Sequence, residues 1–154
     1  MAVEGKADEP FSDVLADILV NAVEASLENA RSNAGLRAQQ LIQAFFGPRQ
    51  RGEPKLGSLR YQLLTACAGA ICQAERRGFN RALVLVHEFV TDRTEDRLHQ
   101  KNAQDLDAFL YRLSHQMVKS VPGEILGPFA IPGAPLFEGR TKLYIGKAVK
   151  NLRV

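Results

Sequence analysis

Glu4 and Lys6 stand two positions apart in the stretch AVEGK near the start of the chain. On a strand, residues two apart project from the same face, so a carboxylate and an ammonium would lie side by side. That pairing suits phosphodiester hydrolysis. A Mg²⁺ or Mn²⁺ ion takes one or two carboxylates and keeps water in its shell. A neighbouring Lys can orient or deprotonate the attacking water and offset the charge that builds on the phosphate. In this reading Glu4 is the metal ligand and Lys6 the catalytic partner. The alternative is a surface ion pair, which contributes little to stability. Gln62 is the third candidate. It follows Arg60 and Tyr61 inside the least polar helical stretch, where a buried amide must find hydrogen-bond partners. It either bonds a neighbouring backbone group or points toward an adjacent site at the sheet edge.

Other chemistries find less support. Cys67 and Cys72 share one helical segment at i and i+5, which point apart; a disulfide is not expected, and no further ligands stand at zinc spacing. This fits a reducing cytoplasm. His87 alternates with Val86 and Glu88 and reads as a packed core residue, while His99 and His115 have no evident companions. No Ser/His/Asp or Cys/His arrangement, P-loop or G-x-G-x-x-G motif stands out.

Charge adds a partner. The formal +3 over 154 residues hides an acidic start, with Glu4, Asp8, Glu9, Asp13, Asp17, Glu24 and Glu28 against Lys6 alone in residues 1–28. Arg49, Arg51, Lys55 and Arg60 cluster in one loop region, and Arg140, Lys142, Lys147, Lys150 and Arg153 crowd the other end. Such clusters track the phosphates of a nucleic acid or form a solvated surface. No stretch reaches the roughly 18 to 20 apolar residues that span a bilayer, and no signal peptide opens the chain, so a membrane partner is not expected.

These residues need elements to position them. The 154 residues, 45% hydrophobic and 24% charged, suit a single domain, 1–154. A strand is expected over 2–6. Helices are expected over 11–30, led in by Pro10, and over about 34–46, with Asn33 or Ser32 as N-cap. Residues 47–57 form a basic Gly/Pro-rich loop. Ser58 can cap a long buried helix running to Arg77, closed by Gly78. RALVLVHEF, 81–89, is the clearest strand, and its unbroken apolar run implies cover on both faces. TDRTEDRLHQKNA, 91–103, reads as a polar mobile loop, followed by a helix over about 104–117 and strands over 127–131 and 142–149. The fold class is α/β, a small mixed sheet flanked by helices.

Taken together, VEGKADEPF, SLRYQLLTACAGAICQAE and RALVLVHEFV resemble uncharacterised bacterial proteins of the PD-(D/E)XK nuclease-like superfamily. The resemblance implies a restriction-endonuclease-like core, with Glu4-Gly5-Lys6 as the (D/E)-X-K element and Gln62 as an auxiliary site residue on the following helix. It also implies an upstream hairpin carrying a metal-binding Asp. Only three residues precede Glu4, so an N-terminally incomplete core is expected, and Asp8, Glu9 and Asp13 lie past the strand's end. The missing hairpin leaves residues 2–6 as an open strand edge, which favours a homodimer or a partner chain. The implied function is a metal-dependent nuclease; the alternative is a catalytically inactive binding or assembly module on the same fold.

Overall fold

The computed structural model of the chain describes residues 1–7 and 9–152. Nine elements follow in order, one of them a short 3₁₀ turn: β1 (Ala2–Lys6), α1 (Leu15–Glu28), α2 (Ala34–Phe45), the 3₁₀ turn (Leu56–Ser58), α3 (Tyr61–Arg76), β2 (Arg81–Val90), α4 (Asp96–Ser114), β3 (Ile125–Phe129) and β4 (Lys142–Asn151). The strands form one mixed sheet in the order β1-β2-β4-β3. β1, β2 and β4 run parallel, and β3 is antiparallel to β4. The protein is thus α/β, a small mixed sheet with helices packed on it. β1 lies at a sheet edge, as expected. Parallel neighbours need long crossovers, and the helices supply them: α1 to α3 link β1 to β2, and α4 lies between β2 and β4.

The core sits on one face of the sheet, which corrects the expectation that β2 is covered on both. Ala82, Val84, Val86 and Glu88 are buried, whereas Leu83, Leu85, His87 and Phe89 are only half-buried. β2 therefore alternates, despite its unbroken apolar sequence. His87 lies on this more open face with its ring 4.2 Å from that of Phe89. On the covered face, Leu63, Leu64, Cys67 and Ile71 of α3 and Leu106, Phe109 and Leu110 of α4 meet Val84, Val86, Leu143 and Ile145. Burial in this apolar surrounding pushes the Cys67 thiol far up, so it stays protonated and inert. Cys72 is exposed, because α3 is buried along one side and not all round; neither cysteine is in a disulfide.

Several boundaries differ from the sequence expectation, each for a local reason. α1 begins at Leu15, since the segment before it is drawn into contacts with residues 59–61 at the start of α3: Val14 bridges Arg60, Leu15 N–H donates to the Leu59 carbonyl and Tyr61 N–H to that of Asp13. Ser58 does not cap α3. It closes the 3₁₀ turn, with Oγ donating to the Lys55 carbonyl at 2.8 Å, and Arg60 takes the N-cap position. Asn33 does occupy the N-cap of α2, although its side chain makes no capping bond. Of the polar stretch 91–103 only residues 91–95 are loop, because α4 already starts at Asp96. The last two strands span Ile125–Phe129 and Lys142–Asn151. Gly127 holds φ at +126°, and a Cβ there would come 2.7 Å from the Leu143 carbonyl oxygen, so glycine alone lets β3 approach β4 this closely.

The basic loop is fastened from within by a buried carboxylate. Glu53 accepts the Gln50 N–H at 2.9 Å, lies 3.0 Å from Arg112 Nη1 and meets His115 Nδ1 at 2.5 Å. Burial alone would raise its carboxyl. The Gln50 amide, His115 and Arg112 outweigh that and hold it below its ordinary value. A depressed folded value gives stability that is present above the unfolded value, about 4.3, and lost as the pH falls below it. Thermal melts of wild type and Glu53→Gln should therefore differ most near pH 7, with the gap closing below about pH 4.3; a gap that does not change with pH would refute this role. In the core, Phe109 is fully buried and packs edge-on against Phe46 at 5.7 Å. Phe109→Ala should cost about 3–5 kcal/mol in urea unfolding.

Candidate functional site

Three parallel strands end at the same border of the sheet, and the last buried residue of each is charged: Lys6, Glu88 and Lys147. Register places Val86 between Glu4 and Lys147, and Lys6 beside Glu88. Paired residues of parallel strands share a face, so Glu4, Lys6, Glu88 and Lys147 all point beneath the helices. Carboxyl ends of parallel strands are where open α/β sheets bind ligands.

Glu4, Lys6 and Gln62, the residues expected to form the site, are brought together. Gln62 lies in the first turn of α3, which crosses over β1. Its Nε2 donates to Glu4 Oε1 at 2.5 Å, and its Oε1 accepts from Lys6 Nζ at 2.8 Å and from Ser12 N–H at 3.1 Å. The amide thus bridges the two members of the AVEGK pair. Lys6 is 2% exposed. Around its ammonium stand Glu9 Oε1 and the Pro10 carbonyl, each at 3.4 Å, and Glu4 Oε1 at 3.6 Å. The Phe11 ring completes the enclosure at 5.2 Å. This is no surface ion pair. A dehydrated ammonium is costly unless paired and hydrogen-bonded, and here both conditions are met.

Residues 9–12 form a wall of the site and are pinned from α4. Asn102, 1% exposed, donates through Nδ2 to the Glu9 carbonyl at 3.0 Å and accepts the Phe11 N–H at 3.3 Å. Glu9 thereby reaches Lys6, although it lies past the end of β1 and was not expected there. Asp8 lies outside the described residues. Asp13 contributes its backbone carbonyl to Tyr61 and keeps an exposed side chain.

A second group adjoins the first. Glu88 Oε2 lies 3.1 Å from Lys147 Nζ and 3.4 Å from His99 Nδ1, with Glu88 and Lys147 both buried. His99 Nε2 is buried without a hydrogen-bond partner among the described residues. Lys147 is therefore not part of a solvated basic cluster, and His99 does have a companion. Neither was foreseen. The available signal was parity, since Glu88 falls in step with Ala82, Val84 and Val86, and Lys147 with Leu143 and Ile145. Charges on core-facing positions of a strand mark a site or a buried pair.

The expected nucleic-acid-binding residues divide. Arg60 is committed: Nε lies 2.7 Å from Asp105 Oδ2 and an Nη1 proton goes to the Ser12 carbonyl at 3.0 Å. It positions the wall and does not face solvent. Arg49, Arg51 and Lys55 are exposed, though Arg49 Nε also donates to the Glu53 carbonyl. Of the second basic cluster, Arg140, Lys142 and Lys150 are exposed, and Arg153 lies outside the described residues.

The donor set for a divalent cation is sparse. Among the described residues no three His, Cys, Asp or Glu side chains come together. Glu4 keeps its side chain 24% exposed and has one oxygen engaged by Gln62, and Glu9 presents a carboxylate that is 66% exposed. Two hard oxygen donors fit Mg²⁺ or Mn²⁺ holding most of its water and do not form a closed cage.

Among the described residues no helix is long and apolar enough to cross a membrane. No curated protein matches the chain, and no solved structure does. A family model does match, over residues 1–149, and the chain belongs to the family described as Domain of unknown function (DUF6946).

Proposed function

We propose that this protein is a nuclease-related hydrolase of phosphodiester bonds in nucleic acid, dependent on Mg²⁺ or Mn²⁺ and acting in the cytoplasm. One observation carries the reading: Gln62 bridges Glu4 and Lys6 at the carboxyl ends of the parallel strands. Residues 56 and 58 positions apart in the chain thus meet in the order that the PD-(D/E)XK resemblance implies.

Glu4, with Glu9 beside it, would hold the cation, which when bound lowers the pKa of water and polarises a phosphoryl oxygen. Lys6 supplies a fixed positive charge next to the scissile phosphate, where a preorganised donor favours the more highly charged transition state. Gln62 sets the spacing of the two and keeps the ammonium from collapsing onto Glu4. The Phe11 ring and residues 9–12 limit the entry of water. Arg49, Arg51 and Lys55 would follow the nucleic-acid backbone, while Arg60 acts as a positioning residue.

A second reading, an inactive binding or assembly module, is favoured by one observation. Lys6 already has four oxygen acceptors around it within 3.6 Å, so its protons are spoken for. Metal dependence separates the two readings. Calorimetric titration of Mn²⁺ should give saturable binding that Glu4→Ala abolishes. Glu4→Ala, Lys6→Ala and Gln62→Ala should each lower cleavage of single- or double-stranded substrates by about 10²-fold or more. Wild type without Mn²⁺ binding or cleavage would leave only the inactive module.

The basic loop makes a separate claim. Each phosphate contact contributes about 0.9 to the slope of log K against log salt on duplex DNA. The triple variant Arg49→Ala, Arg51→Ala, Lys55→Ala should lower that slope by about 2–3. An unchanged slope would remove the loop from the interface.

A further inference from the structure

α4 carries different chemistry at its two ends. Its first half reaches Glu88 through His99 and the Glu9–Phe11 backbone through Asn102. Its last turn opens onto a cavity of about 660 Å³, roughly 20 Å along the helix axis from Asn102. The volume falls within the ~300–1,000 Å³ typical of small-molecule sites. Phe45, Leu113, Leu126, Phe129 and Ile131 give it apolar walls, and His115 is the one titratable side chain in its lining.

The histidine is held in a defined orientation. His115 ends α4 in the left-handed conformation, φ 59°, and its Nδ1 is bound to Glu53. That leaves Nε2, on the other side of the ring, turned away from the carboxylate. Behind it Glu53 and Arg112 are both buried and lie 3.0 Å apart. Arg112 Nη2 donates to the Gly47 carbonyl at 2.7 Å, and its guanidinium lies 5.6 Å from the centre of the Phe46 ring. The charges of Glu53 and Arg112 offset one another inside the protein, so the imidazole is the group left to meet a ligand. A cavity with apolar walls and one oriented titratable group suits an amphipathic molecule with a single ionisable head.

We propose that this cavity binds a small apolar carboxylic acid, with its hydrocarbon part against Phe129 and Ile131 and its head group on His115 Nε2. The proton balance favours an acid over other heads. A neutral imidazole takes the acid's proton at Nε2, and a protonated one meets the carboxylate directly; both routes end in the same imidazolium–carboxylate pair. An alcohol of equal length forms no such pair and keeps only the apolar contacts. The proposal does not depend on the nuclease reading, because none of its residues belongs to the Glu4–Lys6–Gln62 group.

Octanoate and 1-octanol, titrated separately into the full chain and followed by NMR, test it. Octanoate should shift resonances of Leu113, Val118 and Phe129, and His115→Asn should weaken its binding at least tenfold while leaving 1-octanol unchanged. Asn is chosen because it tolerates the left-handed conformation. Ala130→Trp, which puts an indole at a solvent-exposed position of the cavity lining, should weaken both ligands at least tenfold. Three outcomes overturn the proposal: equal octanoate affinity in wild type and His115→Asn, equal loss of both ligands in that variant, or shifts confined to residues outside the cavity.

Discussion

A lysine ammonium withdrawn from water has to be answered by oxygen atoms, and Lys6 imposes that requirement on much of this fold. It is 2% exposed, and an isolated charge at that depth would be prohibitive. The oxygens come from four places: Glu4 on the same strand, Gln62 on α3, Glu9 and the Pro10 carbonyl on the segment that follows β1. Each of these must then be held in turn. Asn102 of α4 fixes Glu9 and Phe11 through their backbones, and Arg60 grips Ser12 while paired with Asp105. One buried charge thus ties β1, the segment after it, α3 and α4 to a single border of the sheet.

That border differs from the rest of the covered face. Toward the start of the strands, Val84, Leu143 and Ile145 pack into an apolar core with α3 and α4. Toward their ends, Glu4, Lys6, Glu88 and Lys147 occupy positions of the same parity. Breaking a buried ion pair by removing one partner typically costs about 3–5 kcal/mol, whereas replacing the whole pair with apolar residues is often neutral or stabilising. Stability alone therefore gives little reason for two adjacent Lys–Glu pairs. Their position where parallel strands end, under a polar stretch of helix, is where a binding site is expected.

α4 shows how one helix can serve two environments. Leu106, Phe109, Leu110 and Leu113 lie on the core at helical spacing. Ahead of them, His99, Asn102 and Asp105 reach Glu88, the Glu9–Phe11 backbone and Arg60. At the far end of the helix, Arg112 and His115 converge on Glu53. The same rod supports the polar border at one end and walls an apolar cavity at the other, so its two ends can be perturbed separately.

Much of this was legible from local patterns. Unbroken apolar runs located β2, β4 and α3 closely, and the turn-like residues after Lys6 marked the end of β1. Spacing alone put Glu4 and Lys6 on one face, and an amide in a helix of small apolar residues marked Gln62. The first half of α4 was illegible for the opposite reason. Its inward side is polar and is satisfied by the site, so the stretch reads as solvated, and hydrophobic periodicity cannot register a helix that packs through hydrogen bonds. Cover on one face of β2 was hidden too, since half-buried positions accept the same aliphatic residues as buried ones. Sequence by itself determined the strand and helix types and the Glu4–Lys6 pairing, which depend on neighbours two to four residues away. Tertiary structure decided that Gln62 joins that pair, that Glu9 and Asn102 close around it, and that Glu88 meets Lys147 and His99. Those partners lie far along the chain, and only strand register and helix crossover bring them within hydrogen-bonding reach.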